Sequence, residues 1–172
     1  MKQEIAITRF ETDLGLMIAA ASEKGICLFE YADSKHLDLE MKQLSAAFKA
    51  PFVEGNNPHT LALKEQIAQY FNGGRREFDL PMDLVGTEFQ KQAWLALLKI
   101  PCGCTTTYGR QAALIGRASS VRAVANANGR NKISIILPCH RVIGADGTLT
   151  GYGGGLWRKK KLLDMEKKLF KF

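Results

Sequence analysis

Gly109-Arg110-Gln111-Ala112-Ala113-Leu114-Ile115-Gly116-Arg117-Ala118-Ser119-Ser120-Val121-Arg122-Ala123-Val124-Ala125-Asn126-Ala127-Asn128 is the stretch on which the fold of the C-terminal half turns. Gly109 to Ile115 reads as a short helix, and Gly116-Arg117 interrupts it. Ser119 or Ser120, both suitable N-caps, opens another helix that continues to about Asn128. Two short helices around a glycine-containing turn predict a helix-turn-helix. Arg122 is the only cation between Ala118 and Gly129, and its neighbours at three and four positions are Ala118, Ser119, Ala125 and Asn126. Small side chains let a helix backbone approach a partner closely, with Val121 and Val124 turned to the core, so the exposed face is smooth apart from one long probe. A lone arginine is ordinarily a surface residue; the two-helix context and the local charge turn this one toward a nucleic-acid groove.

Upstream, Thr87-Glu88 supplies an N-cap signal for a helix from Phe89 to Leu98, with Phe89, Ala93, Leu97 and Trp94, Leu98 stacked on one face and Pro101 as its stop. Asp79 to Gly86 contains Pro81 and no helical period. The linker is therefore placed at residues 81–87, between an N-terminal domain at 1–80 and a second domain at 88–172. Ile5 to Phe10, Leu14 to Ala21 and Ile26 to Tyr31 are short apolar bursts broken by Asp13 and Lys24-Gly25, which predicts three antiparallel strands. Helical patterns follow at about Ser34 to Phe48 and Thr60 to Phe71, separated by the turn-rich Pro51 to Pro58. The expected class is α+β, a small antiparallel sheet with helices followed by a mostly helical half that ends in a basic helix from about Leu156 to Phe170.

Charge divides along the same line. Residues 1–87 carry 9 Lys and Arg against 13 acids, and residues 88–172 carry 15 against 4, so the whole of the net +7 lies in the second half. That asymmetry points to a polyanionic partner held there. No stretch approaches the roughly 18 apolar residues of a membrane span, and Met1-Lys2-Gln3-Glu4 does not resemble a signal peptide. The expectation is a soluble monomer in the cytoplasm or on the nucleoid, without membrane contact. Four cysteines in 172 residues suit free thiols better than a disulfide framework.

Among those cysteines, Cys139 stands apart. It follows the apolar run Ile133 to Leu137 and Pro138, a setting that suits a buried structural cysteine, but His140 and Arg141 follow it directly. Neighbouring positive charge lowers a thiol pKa toward neutrality. Adjacent side chains in extended chain point apart, so cooperation between Cys139 and His140 requires a tight turn after Pro138 or a water relay. Glu166, in the last helix, meets Leu162, Leu163, Leu169 and Phe170 at three and four positions, with no cation at those spacings despite seven Lys and Arg between 158 and 171. A carboxylate on that apolar face needs an interior partner. His140 is the best candidate, giving a Cys139-His140-Glu166 relay. Cys102-Gly103-Cys104, with Cys27, His36 and His59, has no recognised metal-ligand spacing, so neither metal nor cofactor is expected. The run Gly151-Tyr152-Gly153-Gly154-Gly155 lacks the Lys-Ser/Thr of a phosphate loop and better suits a tight cover over a planar ligand.

These motifs together resemble the O6-alkylguanine-DNA alkyltransferases, or methylated-DNA-protein-cysteine methyltransferases. The likeness is carried by Gly86-Thr87-Glu88-Phe89-Gln90 with Trp94, Ile100-Pro101-Cys102-Gly103 with Tyr108-Gly109, Arg122-Ala123-Val124, Asn128-Gly129-Arg130-Asn131, Ile135 to Val142, Gly151-Tyr152 with Gly154-Gly155, and Leu162-Leu163 with Glu166. The N-terminal half matches only in length and in strand-then-helix order, which implies a ribonuclease H-like domain there.

The resemblance implies a DNA repair protein that binds duplex DNA from the minor groove. It would flip O6-alkylguanine out of the stack, with O4-alkylthymine as a second candidate, and move the alkyl group irreversibly to Cys139, once per molecule. Extrusion answers a physical need, because the O6 atom is out of reach of a protein sulfur inside the duplex. His140 and Glu166 would serve the thiol, and Asn131 would brace the active-site turn. Arg122 would fill the gap left by the base, with Ser119, Ser120, Arg130 and Tyr108 on the DNA. Tyr108, Leu149, Tyr152, Gly153 and Gly154 would form the base pocket. Gly153 stands where many relatives carry a serine that bonds the lesion oxygen, so backbone N–H groups would have to serve. The zinc ligands of some animal members have no counterpart. Two rivals are a helix-turn-helix lesion sensor or regulator without chemistry and a Cys-His hydrolase of many turnovers.

Overall fold

The computed structural model describes residues 3–170. It divides into two compact units, one running to Val85 and one beginning at Gly86. In the first, strands β1 (Ile5–Thr12), β2 (Gly15–Ala21) and β3 (Ile26–Tyr31) form an antiparallel meander, with register Phe10 to Met17 and Ala19 to Phe29. Helix α1 (Leu37–Phe48) follows. The sheet has a fourth strand, β4 (Phe52–Glu54), parallel to β1 with Ile5 opposite Phe52, so the order is β3-β2-β1-β4. This corrects the three-stranded expectation. A three-residue strand between Pro51 and Gly55 shows no alternation; it exists because the β1 edge supplies its hydrogen bonds, and no local pattern reports that.

Helix α2 (Pro58–Phe71) begins where Asn57 accepts from the backbone N–H of His59 and Thr60, with Pro58 in the first turn, where its missing N–H costs nothing. Ile5, Ile7, Ile18, Leu28 and Leu44 form the core between sheet and α1. Pro81 to Asp83 runs beside β3: Ile26 donates to Pro81 and accepts from Asp83, each at 2.8 Å.

The second unit starts with α3 (Glu88–Leu97), closed by a reciprocal box in which Thr87 Oγ1 accepts from the Gln90 N–H and Gln90 Oε1 accepts from the Thr87 N–H. Gly86 must be glycine, since a Cβ there would lie 2.6 Å from the Trp94 ring. Trp94 and Leu97 are buried, but Leu98 is 50% exposed, because α3 ends before it and turns it off the packed face. Helices α4 (Tyr108–Leu114) and α5 (Val121–Gly129) are joined by a six-residue turn. Trp94 Nε1 donates to the Ala127 carbonyl at 2.7 Å, and the Gln111 and Asn128 amides bond each other while Gln111 also reaches Ala93. These buried, mutually satisfied amides fix the three-helix packing. Val124 is buried, whereas Val121 is 38% exposed, so only one of the two valines faces the core. Ser120 occupies the N-cap position of α5 without a side-chain capping bond. A two-stranded parallel ladder, β5 (Thr106–Thr107) with β6 (Val142–Ile143), and a closing helix α6 (Leu156–Leu169) complete the unit.

Candidate active site

Between α5 and α6 the chain folds irregularly, and the irregularity positions the thiol. Ile135 takes φ of 71°, an unusual conformation for a β-branched residue. Pro138 then leads into a single 3-10 turn over Cys139–Arg141. A tight turn after Pro138 is one of the two arrangements by which neighbouring side chains can serve one site. Asn131 binds the segment together: its Nδ2 donates to the Leu137 carbonyl at 2.8 Å and to Cys139 Sγ at 3.3 Å, while its Oδ1 accepts from the Ile133 N–H at 2.9 Å. Cys139 is half-buried.

His140 is fully buried, and its Nε2 lies 2.9 and 3.0 Å from the two Glu166 oxygens. Arg141 Nε reaches the same carboxylate at 2.7 Å, and its Nη1 donates to the Ile100 carbonyl. Burial disfavours charge on Glu166, but His140 and Arg141 outweigh it and hold the carboxyl down at about 2. Burial also pushes the His140 pKa down, beyond what Glu166 restores, with Arg141 and Lys159 adding to the depression. These two directions are compatible because Arg141 supplies the permanent positive charge: the stable state is ionised Glu166, cationic Arg141 and neutral His140. An ionised carboxylate accepts only, so Nε2 carries the imidazole proton and Nδ1 presents a lone pair. Nδ1 is buried and has no hydrogen-bond partner among the described residues.

Residues 88–168 match the model of the 6-O-methylguanine DNA methyltransferase, DNA binding domain. A methylated-DNA–protein-cysteine methyltransferase of Methanosarcina barkeri is 42% identical over 156 residues, covering 91% of this chain and 93% of that relative. The chain belongs to the methylated-DNA–protein-cysteine methyltransferase family. A Mycobacterium tuberculosis member is 56% identical over 103 residues, and the match spans 62% of that relative's length. The fold superposes on M. tuberculosis OGT solved in complex with DNA with a TM-score of 0.82 at 36% identity, covering 96% of this chain and 94% of that one.

The residues expected to hold the base and the DNA fall on the loop before α6 and on the α4–α5 pair and its flanks. Gly151 to Gly155 precedes α6, with Gly151 at φ 50° and Gly155 at φ 91°. Tyr108, half-buried at the start of α4, donates its hydroxyl proton to the Thr150 carbonyl at 3.0 Å. Tyr152 and Leu149 are half-buried, Gly153 is exposed and Gly154 is buried, its carbonyl taking an Arg158 hydrogen bond. Arg122, Ser119 and Arg130 are exposed, and Arg122 makes no ion pair among the described residues.

Two participants escaped the sequence. Arg141 is a ligand of Glu166 as much as His140 is, and its signal was only adjacency to the Cys-His pair. Lys159 is wholly buried, donating from Nζ to the carbonyls of Val142 at 2.6 Å and Thr150 at 2.8 Å, with the Tyr108 ring centroid 5.8 Å away. Burial pulls its pKa down to about 8, partly countered by Cys139. Lys159 sits among four consecutive cations, and only the helical phase that puts it beside Leu162 and Glu166 marked it as inward.

Among the described residues no three His, Cys, Asp or Glu side chains gather where a metal would bind, and no helix is long and apolar enough to cross a membrane.

Proposed function

We propose that this chain repairs alkylated DNA by transferring the alkyl group of O6-alkylguanine to Cys139, in keeping with relatives named methylated-DNA–protein-cysteine methyltransferase. One observation carries the reading. His140 spends Nε2 on Glu166 and keeps a buried acceptor at Nδ1, and the residue before it carries a half-buried thiol held by Asn131. The thiol proton passes to Nδ1 through one water, and Glu166 stabilises the resulting imidazolium. Sγ then attacks the alkyl carbon, the S–C bond forms and the C–O6 bond breaks. The electron pair goes to the purine, which takes up the proton held on His140. Nothing in the sequence of steps restores a free thiol, because a thioether is stable, so each molecule acts once.

The α4–α5 pair serves as the helix-turn-helix, laid in the minor groove with Arg122 entering the stack in place of the extruded base and Ser119, Ser120 and Arg130 near the backbone. Exposure of Arg122, Ser119 and Arg130 and the positive charge of the second unit support this. Tyr108, Leu149, Tyr152 and the backbone of Gly153 and Gly154 receive the base, with Lys159 bracing the loop from below. The protein acts as a monomer in the cytoplasm or on the nucleoid. For the first unit, the antiparallel β1-β2-β3 meander with a parallel strand added beyond β1 supports the ribonuclease H-like description.

Methyl loss from O6-methylguanine duplex, followed by chromatography of the recovered nucleosides, tests the activity. The unaltered chain converts an amount of lesion equal to the protein supplied and then stops. Cys139→Ala converts none. Continued turnover would indicate a hydrolase, and full lesion recovery with tight binding would indicate a sensor.

A further inference from the structure

The exposed side of α6 is not used by the chemistry above. Its solvent face carries Trp157, Lys160, Lys161, Asp164, Lys167 and Lys168. Trp157 is 52% exposed, an uncommon setting for an indole. The Lys161 ammonium lies 5.4 Å from its ring centroid and the Arg158 guanidinium 4.6 Å.

Helix stability does not account for this composition. Lys167 and Lys168 in the last turn complement the helix dipole, and Arg158 and Lys159 are buried against backbone carbonyls, but Lys160 and Lys161 stand exposed near the start of the helix with no acid in the first turn. Cations there are disfavoured by the dipole and by one another. Lys160 is matched by Asp164 at 2.6 Å; Lys161, Lys167 and Lys168 pair with no acid among the described residues. Cations spaced along a helix face that begins at an exposed indole match what single-stranded nucleic acid requires, ammonium groups along the phosphates and an aromatic face for an unpaired base. Duplex DNA presents no unpaired base for the indole.

We infer that the Trp157–Lys168 face of α6 is a second nucleic-acid surface, separate from α4–α5, that holds a single-stranded stretch of DNA by its phosphates and stacks one base on Trp157. The inference extends the DNA-binding reading but does not depend on alkyl transfer.

The test uses the full chain and the triple variant Lys161→Gln, Lys167→Gln, Lys168→Gln, titrated with an unmodified oligothymidylate and with an unmodified duplex over a range of salt. For single strands each lost phosphate contact lowers the slope of log affinity against log salt by about 0.7, so the triple variant should lose a slope of about 2 and bind about 10-fold more weakly. Duplex affinity should change by less than about twofold, and transfer from free O6-methylguanine base should be unchanged, which reports an intact active site. Trp157 fluorescence should be quenched by the oligothymidylate, and Trp157→Leu should abolish that quenching and weaken binding. Unchanged single-strand affinity and slope in the triple variant would overturn the inference. Equal weakening on duplex and single strand would overturn it too, because the face would then be a general phosphate contact. A failure of the DNA-binding reading itself would show differently, as no duplex binding by the unaltered chain.

Discussion

Glu166 closes on His140 Nε2 at 2.9 Å with both side chains sealed from solvent, and it shares the same two oxygens with Arg141. Glu166 therefore fixes the imidazole tautomer and neutralises a buried guanidinium. Glu166→Gln removes the charge while keeping the shape, leaving Arg141 uncompensated. The expected cost is about 3 kcal/mol of stability, as for other broken buried ion pairs. Single-turnover alkyl transfer should slow by about 100-fold, the scale of lost general-base assistance. Denaturant midpoints and quenched-flow rates measure the two effects separately.

Acid should destabilise the protein in two stages. His140 has a pKa lowered by burial from its ordinary 6.5, so below that value the unfolded chain takes up a proton that the folded chain refuses, and stability falls. Glu166, held at about 2 against an ordinary 4.5, adds a contribution that is complete above about pH 4.5 and disappears as pH falls toward 2. That shift corresponds to about 3 kcal/mol. Thermal midpoints between pH 7 and 3 should decline throughout, and in Glu166→Gln the segment below pH 4.5 should flatten.

Legibility in the sequence follows how local each cause is. The Thr87–Gln90 box and the Asn57-Pro58 start are written within one turn of helix, so their spacing is readable. Glu166 was readable for a related reason: helical geometry alone places Leu162, Leu163, Leu169 and Phe170 around it and demands a buried partner. β4 and the β5–β6 ladder were not readable, because two- and three-residue strands exist only through distant partners. Periodicity assigns Val121 and Leu98 to packed faces, but Val121 opens α5 and Leu98 caps the end of α3, where the terminal turn no longer follows the stripe. Lys159 was hidden inside a run of like charges whose other exposed members face water.

Arg122 is exposed and contributes nothing visible to the fold. Arg122→Ala should leave the thermal midpoint unchanged and slow transfer from duplex lesions by about 10-fold or more, since the base must then leave the stack without a replacement. Transfer from free O6-methylguanine base should be unaffected. Parallel assays on the two substrates make the comparison.

Lys159 links β6, the loop before α6 and Tyr108 through one ammonium. Lys159→Met removes donors from two carbonyls, at about 1 to 3 kcal/mol each, but relieves a charge whose pKa is already pulled to about 8. Those opposing effects leave global stability nearly unchanged. The loop should loosen, seen as faster amide hydrogen exchange across residues 142–151, and transfer should slow by about 10-fold.

The proposed acceptance of the alkyl group by Cys139 Sγ, served by His140 and Glu166, can be read on a single peptide. Purified protein is incubated with duplex DNA carrying O6-methylguanine, digested, and the peptide containing Cys139 is weighed and sequenced by mass spectrometry. This peptide should gain one methyl group in place of hydrogen, on the cysteine, in proportion to lesion consumed. An unmodified Cys139 peptide after the lesion has been consumed, or methyl on Cys102 or Cys104 instead, would contradict it.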